Sequence, residues 1–396
     1  MMRDRTLAIK ITLLFTATLT IMAGTTVAPS LPAIRQIFAA TPNVEIMSRM
    51  VLTLPSLFVA LFAPVAGMLA DRFGRKTLLI ASIFLYSVSG MSGLFVDSLA
   101  GLLIGRAALG LAIGGIMTIG TTLVGDYFDG AQREQYLGMQ QAFTQFGGVA
   151  FVVAGGLLAD IHWRAPFAVY LVALLILPAA AAFLIEPVRG RSRMANAGQA
   201  EPAVKWGLVA LLALTAFLVN ALFYTVPSQL PFFLRELGIA AASSAGYAIG
   251  IFNFAGALAA LNFGRLRSAC GVSGILAAGL ALMTIGFWLL APSDEMTSIL
   301  FALAVMGCGL GFVIPSVMST TIMIAPPQSR GRIAGIVTAS MFLGHFTSPL
   351  ASQPWITWLG FAATYRGIGF LFAGMAGMAM VAVWIERRTT ATPRWL

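Results

Sequence analysis

The sequence predicts an all-α membrane protein of twelve transmembrane helices, and three observations lead to this prediction. Hydrophobic residues make up 59% of the 396 residues and charged residues only 10%, whereas soluble globular chains carry about 25%. Because so few charges cannot cover a water-soluble surface, lipid must face many of the apolar side chains. Apolar stretches also recur along the whole chain, and the basic residues cluster in alternate loops between them.

The apolar stretches are each long enough for the roughly 20 residues that cross a hydrocarbon core as a helix. Each is predicted to be one transmembrane helix, and polar or Gly/Pro-containing segments separate them. The predicted spans are 11–34, 50–70, 77–96, 98–125, 135–159, 165–185, 206–234, 237–264, 268–293, 296–326, 333–359 and 364–385.

The distribution of basic residues predicts the orientation. If the N-terminus is cytoplasmic, eighteen Lys and Arg residues fall in inside segments and five, among them Arg49, fall in outside segments. This asymmetry predicts a cell-membrane protein with both termini cytoplasmic. The net charge of +10 then reflects topology, so no nucleic-acid partner is expected. We expect the first apolar stretch to be a helix rather than a signal peptide, because no clear small-residue cleavage site precedes Pro29.

Weak internal repetition predicts two related halves. Gly110 and Gly114 recur at an offset of 197 as Gly307 and Gly311, and a Thr-Val-x3-Leu-Pro pattern recurs at an offset of 199. Consistent offsets close to half the chain indicate a duplicated unit. We therefore predict two pseudo-symmetric six-helix bundles and a polar cytoplasmic linker. The predicted ranges are 1–187 for the first bundle, 188–205 for the linker and 206–396 for the second bundle.

The predicted loop between helices 2 and 3 carries a specific motif, Gly-Met-Leu-Ala-Asp-Arg-Phe-Gly-Arg-Lys at 67–76. It resembles the loop signature of the major facilitator superfamily at every position of the usual form G-x-L-A-D-R-x-G-R-K. Gly67 is small enough to let another helix approach, and Gly74 permits a tight turn. Asp71 can face a helix N-terminus or pair with Arg75. An ordinary basic turn is the alternative, but it does not account for an acid at this place.

The resemblance implies an alternating-access transporter of the major facilitator fold over essentially the whole chain. We expect Asp71 to contact the second bundle at the start of helix 11, at 329–331, and to hold the cytoplasmic side closed. The resemblance implies that this contact favours the outward-open state. A charge relay is implied from Asp71 and the motif arginines Arg72 and Arg75 to an acid at the end of helix 4, which is Asp126 here. The second bundle has Leu261 where Asp71 would fall, so this gate is expected to be asymmetric.

Arg106 is predicted to be the one formally charged residue clearly within a span. A lone guanidinium in a membrane is costly, so Arg106 must face the bundle interior. Its surroundings resemble the family's helix-4 motif, whose Arg is associated with proton coupling. A structural role, in which Arg106 only pairs with polar atoms of helix 1 or 2 or extends outward toward the membrane surface, is the alternative.

Four glycines in predicted helix 5 form a second motif: Gly138, Gly147, Gly155 and Gly156. Their spacing resembles the antiporter motif of the family's drug exporters. The usual Gly-Pro pair is replaced by Phe151-Val152, which neither kinks a helix nor lets a partner approach closely. The glycine spacing therefore favours export, and the Phe-Val departure leaves uptake open.

The remaining polar residues within the spans are candidates for a central cavity, since substrates of such transporters bind near the midplane between the repeats. Interhelical hydrogen bonding is the alternative for each of them. His345 can additionally titrate near neutral pH. No acid lies in the middle of a span, so we expect a neutral, amphipathic or anionic substrate. The candidates are Gln141 and Gln145, Asn220 and Tyr224, which form two i,i+4 pairs, and Asn253 and His345, which have no such partner along the sequence.

These observations predict a monomeric, proton-coupled exporter of small organic molecules that needs no cofactor or metal. An uptake symporter or uniporter for a metabolite such as an organic acid is the alternative. A membrane enzyme or sensor is disfavoured, because the sequence contains no nucleophile with a base, no metal-ligand spacing and no phosphate-binding loop.

Overall fold

The computed structural model describes residues 2–187, 204–326 and 329–391. Most of the predicted linker 188–205 therefore lies outside the described residues. Within the described ranges, the side chains of residues 2–6, 71, 131, 134 and 385–391 are not described. The side chain of Asp71, on which the predicted cytoplasmic gate depends, is one of these.

The described residues form helices and contain no strand. Three short 3-10 helices, one of them at Ala28–Ser30, accompany the α-helices. The α-helices, in chain order, are α1 (Met2–Thr25), α2 (Leu31–Ile37), α3 (Val44–Phe73), α4 (Arg75–Met91), α5 (Leu99–Tyr127), α6 (Gly130–Ile161), α7 (Val172–Phe183), α8 (Trp206–Phe223), α9 (Thr225–Glu236), α10 (Ala242–Leu290), α11 (Met296–Ile324) and α12 (Arg330–Ala391).

Ten stretches of the described residues are long and apolar enough to cross a membrane. They do not match the labels one to one, because α1 with α2, and α8 with α9, each form one candidate span. The candidate spans in α10 and α12 are 49 and 55 residues long, well beyond the roughly 20 residues that one crossing needs. The predicted count of twelve crossings stays a prediction.

Two glycines interrupt these longest helices with non-helical backbone angles. Gly271 has φ 70° and ψ 169°, and Gly360 has φ 76° and ψ 174°. Such positive φ values favour glycine, because a Cβ is disfavoured there. Each glycine lies at or near a predicted break between two spans, and each joins two helices rather than bending one.

Helix α11 packs against α10 on both sides of Gly271. The Gly256 backbone lies against Gly307, and the Gly279 backbone lies against Gly309, only two residues further along α11. A straight helix would separate positions 23 residues apart by about 35 Å. The chain therefore folds back at Gly271, and the two segments of α10 run antiparallel.

The repeated glycines make equivalent contacts in the two halves of the chain, residues 2–187 (the first half) and 204–391 (the second half). A Cβ on Gly110 would lie 2.4 Å from the carbonyl oxygen of Pro55, and one on Gly307 would lie 2.1 Å from that of Phe252. Both members of the second pair are offset from the first by the same 197 positions. Equivalent glycines thus let helices approach closely in both halves. The division into two duplicated bundles stays a prediction.

Contacts between loops define two ends of the molecule. Arg75 pairs with Asp126 at the end of α5, and Arg267 contacts Met323 at the end of α11. We call this the basic end, because it also carries Lys76, Arg133, Arg265, Arg330 and Arg332. The other end, where Asp97 pairs with Arg164, is called the opposite end.

The start of α3 corrects the sequence prediction. Helix α3 begins at Val44, six positions before the predicted start at 50, and Arg49 lies inside it rather than in a loop. Arg49 pairs with Glu45 one turn earlier, at i,i+4 spacing, with 3.0 Å between Nη1 and Oε2. Because the pair neutralises both charges, the helix can include residues 44–49, which are too polar to be predicted as part of a span from hydropathy alone. Arg106 is thus not alone as a charged residue buried within a candidate span.

Candidate central cavity and the contacts that close it

A cavity of about 410 Å³ lies between the two halves of the chain. Helices α1, α3, α5 and α6 of the first half line one side, and α8, α9, α10, α11 and α12 of the second half line the other. Most lining side chains are apolar, and within the described residues no Asp, Glu, Lys or Arg lines the cavity. The structure brings together all six polar candidates predicted from the sequence: Gln141, Gln145, Asn220, Tyr224, Asn253 and His345.

His345 has a hydrogen-bond partner on another helix, which fits the interhelical alternative stated for it from the sequence. Its Nε2 lies 2.8 Å from Asn220 Oδ1, and Asn220 Nδ2 donates to the Ala216 carbonyl at 2.7 Å. The second bond fixes the orientation of the amide, so Oδ1 is the atom that faces the imidazole. In neutral His345 the proton must then sit on Nε2, which leaves Nδ1 as an acceptor. Among the described residues, no group forms a hydrogen bond with Nδ1.

An aromatic cluster surrounds His345 in the cavity wall. The Tyr224 ring stacks on the imidazole with 4.1 Å between centroids, and Phe223 and Phe342 present edge-to-face contacts. The Tyr224 hydroxyl donates to the Gly24 carbonyl of α1 at 3.3 Å. His345 is thereby connected, through one ring, to the first half of the chain. A change in the charge of His345 would act directly on a contact between the halves.

Asn253 has an unpartnered donor. Its Nδ2 is buried and has no hydrogen-bond partner in the described residues. Buried polar groups are nearly always satisfied, so an orphaned amide in a cavity wall indicates that a ligand group or water completes it. Asn253 therefore offers a donor to a ligand that carries a hydrogen-bond acceptor.

Arg106 lies outside the cavity, within the first half. Its side chain is 1% exposed and donates to the Gly90 carbonyl at 2.7 Å and to the Tyr170 hydroxyl at 3.0 Å. Tyr170 in turn donates to the Ala23 carbonyl at 3.2 Å, and Ala23 lines the cavity. This geometry fits the structural alternative, with partners in α4 and near the start of α7 instead of helix 1 or 2. A role of Arg106 in proton coupling stays a prediction.

Arg49 joins the two halves at the opposite end and was missed by sequence reasoning. Its side chain is 2% exposed, and Nε donates to Gln229 Oε1 of α9 at 2.7 Å. The guanidinium lies 3.8 Å from the centroid of the Phe232 ring. Gln229 continues the network by donating to Ser352 at 3.1 Å and to Gln353 at 3.3 Å, both in α12. A buried, hydrogen-bonded cation thus joins the two halves at this end.

Asp160 makes a second contact between the halves at the opposite end. Its Oδ1 accepts a hydrogen bond from the Ala242 backbone N–H at 2.6 Å and lies 3.3 Å from the Ser243 nitrogen. These N–H groups belong to the first turn of α10, which has no side-chain cap of its own. A carboxylate from the last turn of α6 thus caps a helix of the other half, which the helix dipole favours.

The loop motif lies at the basic end, and the described contacts of its side chains stay within the first half. Arg75 forms an ion pair with Asp126, the two residues between which a relay was expected. Glu186 accepts hydrogen bonds from the backbone N–H groups of Arg75 and Lys76 at 2.6 and 2.9 Å. Glu186 therefore caps α4, a role that the sequence did not reveal because 111 residues separate it from Arg75.

The other motif positions have simpler environments. Gly74 has φ 98° and ψ 145°, so the predicted tight turn does require glycine. A Cβ on Gly67 would meet Thr118 at an ordinary 3.8 Å, so the expected close approach is absent from this conformation. The Arg72 guanidinium lies over the Phe73 ring at 5.3 Å. The Asp71 backbone lies in the last turn of α3, and its side chain lies outside the described residues.

The helix-5 glycines fall on α6 and have different surroundings. A Cβ on Gly155 would lie 2.1 Å from the Thr26 carbonyl of the first half, and one on Gly147 would lie 3.1 Å from Thr18. Gly156 faces the second half, where its Cβ would lie 3.0 Å from Ser243 Cα and 3.1 Å from Gly246 Cα. Gly138, near the basic end, has nothing within 4 Å. Close packing thus occurs toward the opposite end only.

Gly156→Ala should weaken closure of the opposite end. The added methyl group would meet backbone atoms of α10, which cannot move aside as a flexible side chain can. We expect a higher labelling rate of a cavity cysteine from the opposite end, measured with a membrane-impermeant thiol reagent. Gly138→Ala is the matched control and should leave the rate unchanged, because its methyl group enters open space. Equal rates in the two variants would contradict the assignment.

Comparisons with known proteins place these features in a family. The model of the Major Facilitator Superfamily matches residues 13–349 and 212–394. The chain is 27% identical over 369 residues to the tetracycline resistance protein, class C, of Escherichia coli, covering 91% of this chain and 92% of that protein. It is 28% identical over 351 residues to the multidrug efflux protein YfmO of Bacillus subtilis, covering 86% and 83%.

A solved structure agrees with the fold. The crystal structure of a D-xylose-proton symporter superimposes with a TM-score of 0.75 at 16% identity, covering 93% of this chain and 97% of that one. At this identity the likeness shows the fold alone. Members of this family are transporters and not enzymes. The chain belongs to the Major Facilitator Superfamily and is a multi-span membrane transporter of small molecules.

Proposed function

We propose that this protein is a proton-coupled exporter of small, uncharged or amphipathic organic molecules that works by alternating access. The single observation that carries the proposal is a central cavity between the halves, closed at the opposite end by hydrogen bonds that join them. In this proposal the reversals at Gly271 and Gly360 complete twelve crossings in two six-helix bundles. The basic end is cytoplasmic, because Lys and Arg are retained on that side.

The lining of the cavity supports the substrate class. It offers amide, hydroxyl and imidazole groups among apolar side chains, and none of its described residues is an acid or a permanent cation. An anionic substrate, which the sequence left open, loses support because Arg106 does not line the cavity. An uncharged ligand enters such a site without the cost of desolvating an unpaired charge.

Export is favoured over uptake by the similarity to a tetracycline resistance protein and a multidrug efflux protein, and by the close packing of Gly155 and Gly156. Uptake of a metabolite by symport is the second candidate. It is favoured by Phe151-Val152, which replaces the exporters' Gly-Pro pair.

His345 is the proposed proton site. Its Nδ1 faces no hydrogen-bond partner in the described residues, and the ring lines the cavity, so a proton can reach it from there. The groups that surround it are Asn220, Tyr224, Phe223 and Phe342, none of which carries a charge at neutral pH. Binding a proton therefore changes the charge of the cavity from neutral to positive.

Asp71 is the proposed gate residue of the basic end. In the opposite conformation, in which the basic end is closed, it contacts the start of the second half's α12, at 329–331. Asp71→Asn removes the charge and keeps the size, so we expect it to slow turnover more than it weakens substrate binding. Initial transport rates and equilibrium binding on the same preparation measure this difference. Unchanged transport would refute the gate.

Transport in proteoliposomes tests the proposed function. Purified protein is reconstituted, and a panel of uncharged aromatic compounds is screened with no pH gradient and with gradients of both signs. Accumulation in vesicles with an acid interior supports antiport, and accumulation driven by an acid exterior supports symport. Equal movement under all three conditions would contradict proton coupling and leave facilitated diffusion.

A further inference from the structure

A second cavity lies within the first half of the chain, beside the central cavity. It measures about 310 Å³, and residues of α1, α5 and α6 line it. Four of its lining residues also line the central cavity, so the two spaces adjoin: Thr20, Met117, Gln141 and Thr144. None of its lining residues belongs to the second half. The walls of this first-half cavity therefore come from the first half alone.

Three of the four threonine hydroxyl groups in this wall present acceptors and not donors. Thr16 donates its proton to the Thr12 carbonyl, Thr20 to the Ala17 carbonyl and Thr121 to the Met117 carbonyl, at 2.8, 2.8 and 2.9 Å. A threonine hydroxyl has one proton and two lone pairs. Because the proton is used within each helix, a ligand meets only the lone pairs.

Gln140 adds an unsatisfied acceptor. Its Oε1 is buried and has no hydrogen-bond partner in the described residues. Gln140 lines the first-half cavity and does not line the central one. Burying an amide oxygen without a hydrogen-bond partner costs free energy. A ligand that donates a hydrogen bond to this oxygen removes that cost and therefore binds more favourably.

The charge of the wall narrows the ligand class. None of the residues that line the first-half cavity is an acid or a base. A cation would therefore lose its hydration without gaining a counter-charge. The fitting ligand is uncharged and donates a hydrogen bond, as a phenol, an alcohol or an amide N–H does.

We propose that the first-half cavity is a second binding subsite, which takes an uncharged organic group that donates a hydrogen bond to Gln140 Oε1. Only the role of the subsite in transport, where it binds substrate beside the central cavity, rests on the proposed function. Binding to it requires no transport, so its failure and the failure of the exporter proposal are distinguishable. The subsite complements the central cavity, where the unpartnered Asn253 Nδ2 can donate a hydrogen bond to an acceptor atom of a ligand.

Equilibrium binding of two probes tests the subsite on the full chain in lipid nanodiscs. 2-Naphthol donates a hydrogen bond, and 2-methoxynaphthalene has the same aromatic body without a donor. After subtraction of binding to protein-free nanodiscs, we expect one additional site for 2-naphthol that the ether lacks. Equal affinity and stoichiometry for the two probes would overturn the proposal.

Gln140→Leu should weaken 2-naphthol binding at this subsite by about tenfold, the loss expected for one hydrogen bond, and leave the ether unaffected. Gln135→Leu is the matched control, because Gln135 lies exposed on the same helix and lines neither cavity. Thr121→Val is a second, nearly isosteric variant that removes another acceptor and should weaken 2-naphthol binding by a few-fold. Unchanged 2-naphthol binding in both Gln140→Leu and Thr121→Val would exclude the subsite.

Discussion

Replacing Arg49 by methionine should open the opposite end and reduce transport more than any other single change outside the cavity. The substitution keeps the volume of a long side chain and removes the bond to Gln229 and the contact with Phe232. Glu45 keeps a partner, since Arg35 lies 2.7 Å from its Oε1. The loss is therefore mainly that of the contact between the halves.

The size of this effect follows from the burial of the pair. Leaving the buried Gln229 oxygen without its hydrogen-bond donor costs about 1–3 kcal/mol. A change of about 2 kcal/mol alters the ratio of the two conformations about 30-fold. We expect a cysteine at Thr25, in the cavity wall, to become reactive from the opposite end toward an impermeant thiol reagent. Cys270 and Cys308 are first replaced by serine, because both are free thiols.

Arg164→Met is the matched control for Arg49. Arg164 lies at the same end and binds the carbonyls of Leu94 and Val96 and the carboxylate of Asp97, all in the first half. Its loss should lower stability without changing the accessibility of the cavity. Equal reactivity of the Thr25→Cys thiol in the Arg49→Met variant and the unsubstituted background would refute a closing role for Arg49.

Replacing His345 by glutamine should uncouple transport from the pH gradient. A glutamine N–H can still donate to Asn220 Oδ1, but the side chain cannot take up a proton near neutral pH. Coupling free energies of about 1–3 kcal/mol correspond to about 5- to 150-fold effects. We therefore expect gradient-driven accumulation in proteoliposomes to fall about tenfold or more. Substrate exchange at equal pH on both sides should stay within about twofold, because binding needs no net proton transfer.

The second histidine of the chain provides the control. His162 lies exposed in the loop after α6 and lines neither cavity. His162→Gln should leave both measurements unchanged. Unaltered gradient-driven accumulation in His345→Gln would exclude His345 as the proton site and direct attention to Asp71, Asp126 or Arg106.

The polar cavity residues were predictable from the sequence, and the closing contacts were not. Gln141, Asn220 and Asn253 stand in long apolar stretches, where a polar side chain must turn toward the protein interior. Hydropathy and spacing therefore locate them without any tertiary information. His345 and Asn220, which form a hydrogen bond, are 125 positions apart in the chain. The sequence around either residue does not indicate this pairing.

Arg49 and Asp160 escaped prediction for a related reason. Each is a charged residue near the end of an apolar stretch, which is where loop charges are also expected. A partner on the other half distinguishes them from loop residues, and only the fold supplies that partner. One signal was available for Arg49, because Glu45 at i,i+4 spacing allows the helix to begin earlier.

The motif at 67–76 combines a local feature that the sequence predicts with a long-range contact that it does not predict. The backbone at position 74 has a positive φ, which favours glycine. The sequence therefore predicts this turn from the residue type alone. The carboxylate that caps the next helix belongs to Glu186, on a distant segment. Local turns can be predicted from residue type, whereas a helix cap supplied by a distant segment can be identified only once the topology of the fold is known.

Distances between spin labels at both ends of the molecule test the central claim most directly. One pair, Leu137→Cys with Leu261→Cys, spans the basic end, and the other, Ile161→Cys with Ala240→Cys, spans the opposite end. All four positions are exposed, and each pair joins the two halves. Electron–electron double resonance measures each distance with and without a transported compound and at acid and neutral pH.

Alternating access predicts reciprocal changes in these two distances. Conditions that shorten the Leu137→Cys to Leu261→Cys distance should lengthen the Ile161→Cys to Ala240→Cys distance, since the halves rotate about the cavity between the two ends. Asp71→Asn should shift both distributions toward an open basic end. Distances that change in the same direction, or that stay fixed while transport proceeds, would contradict the account.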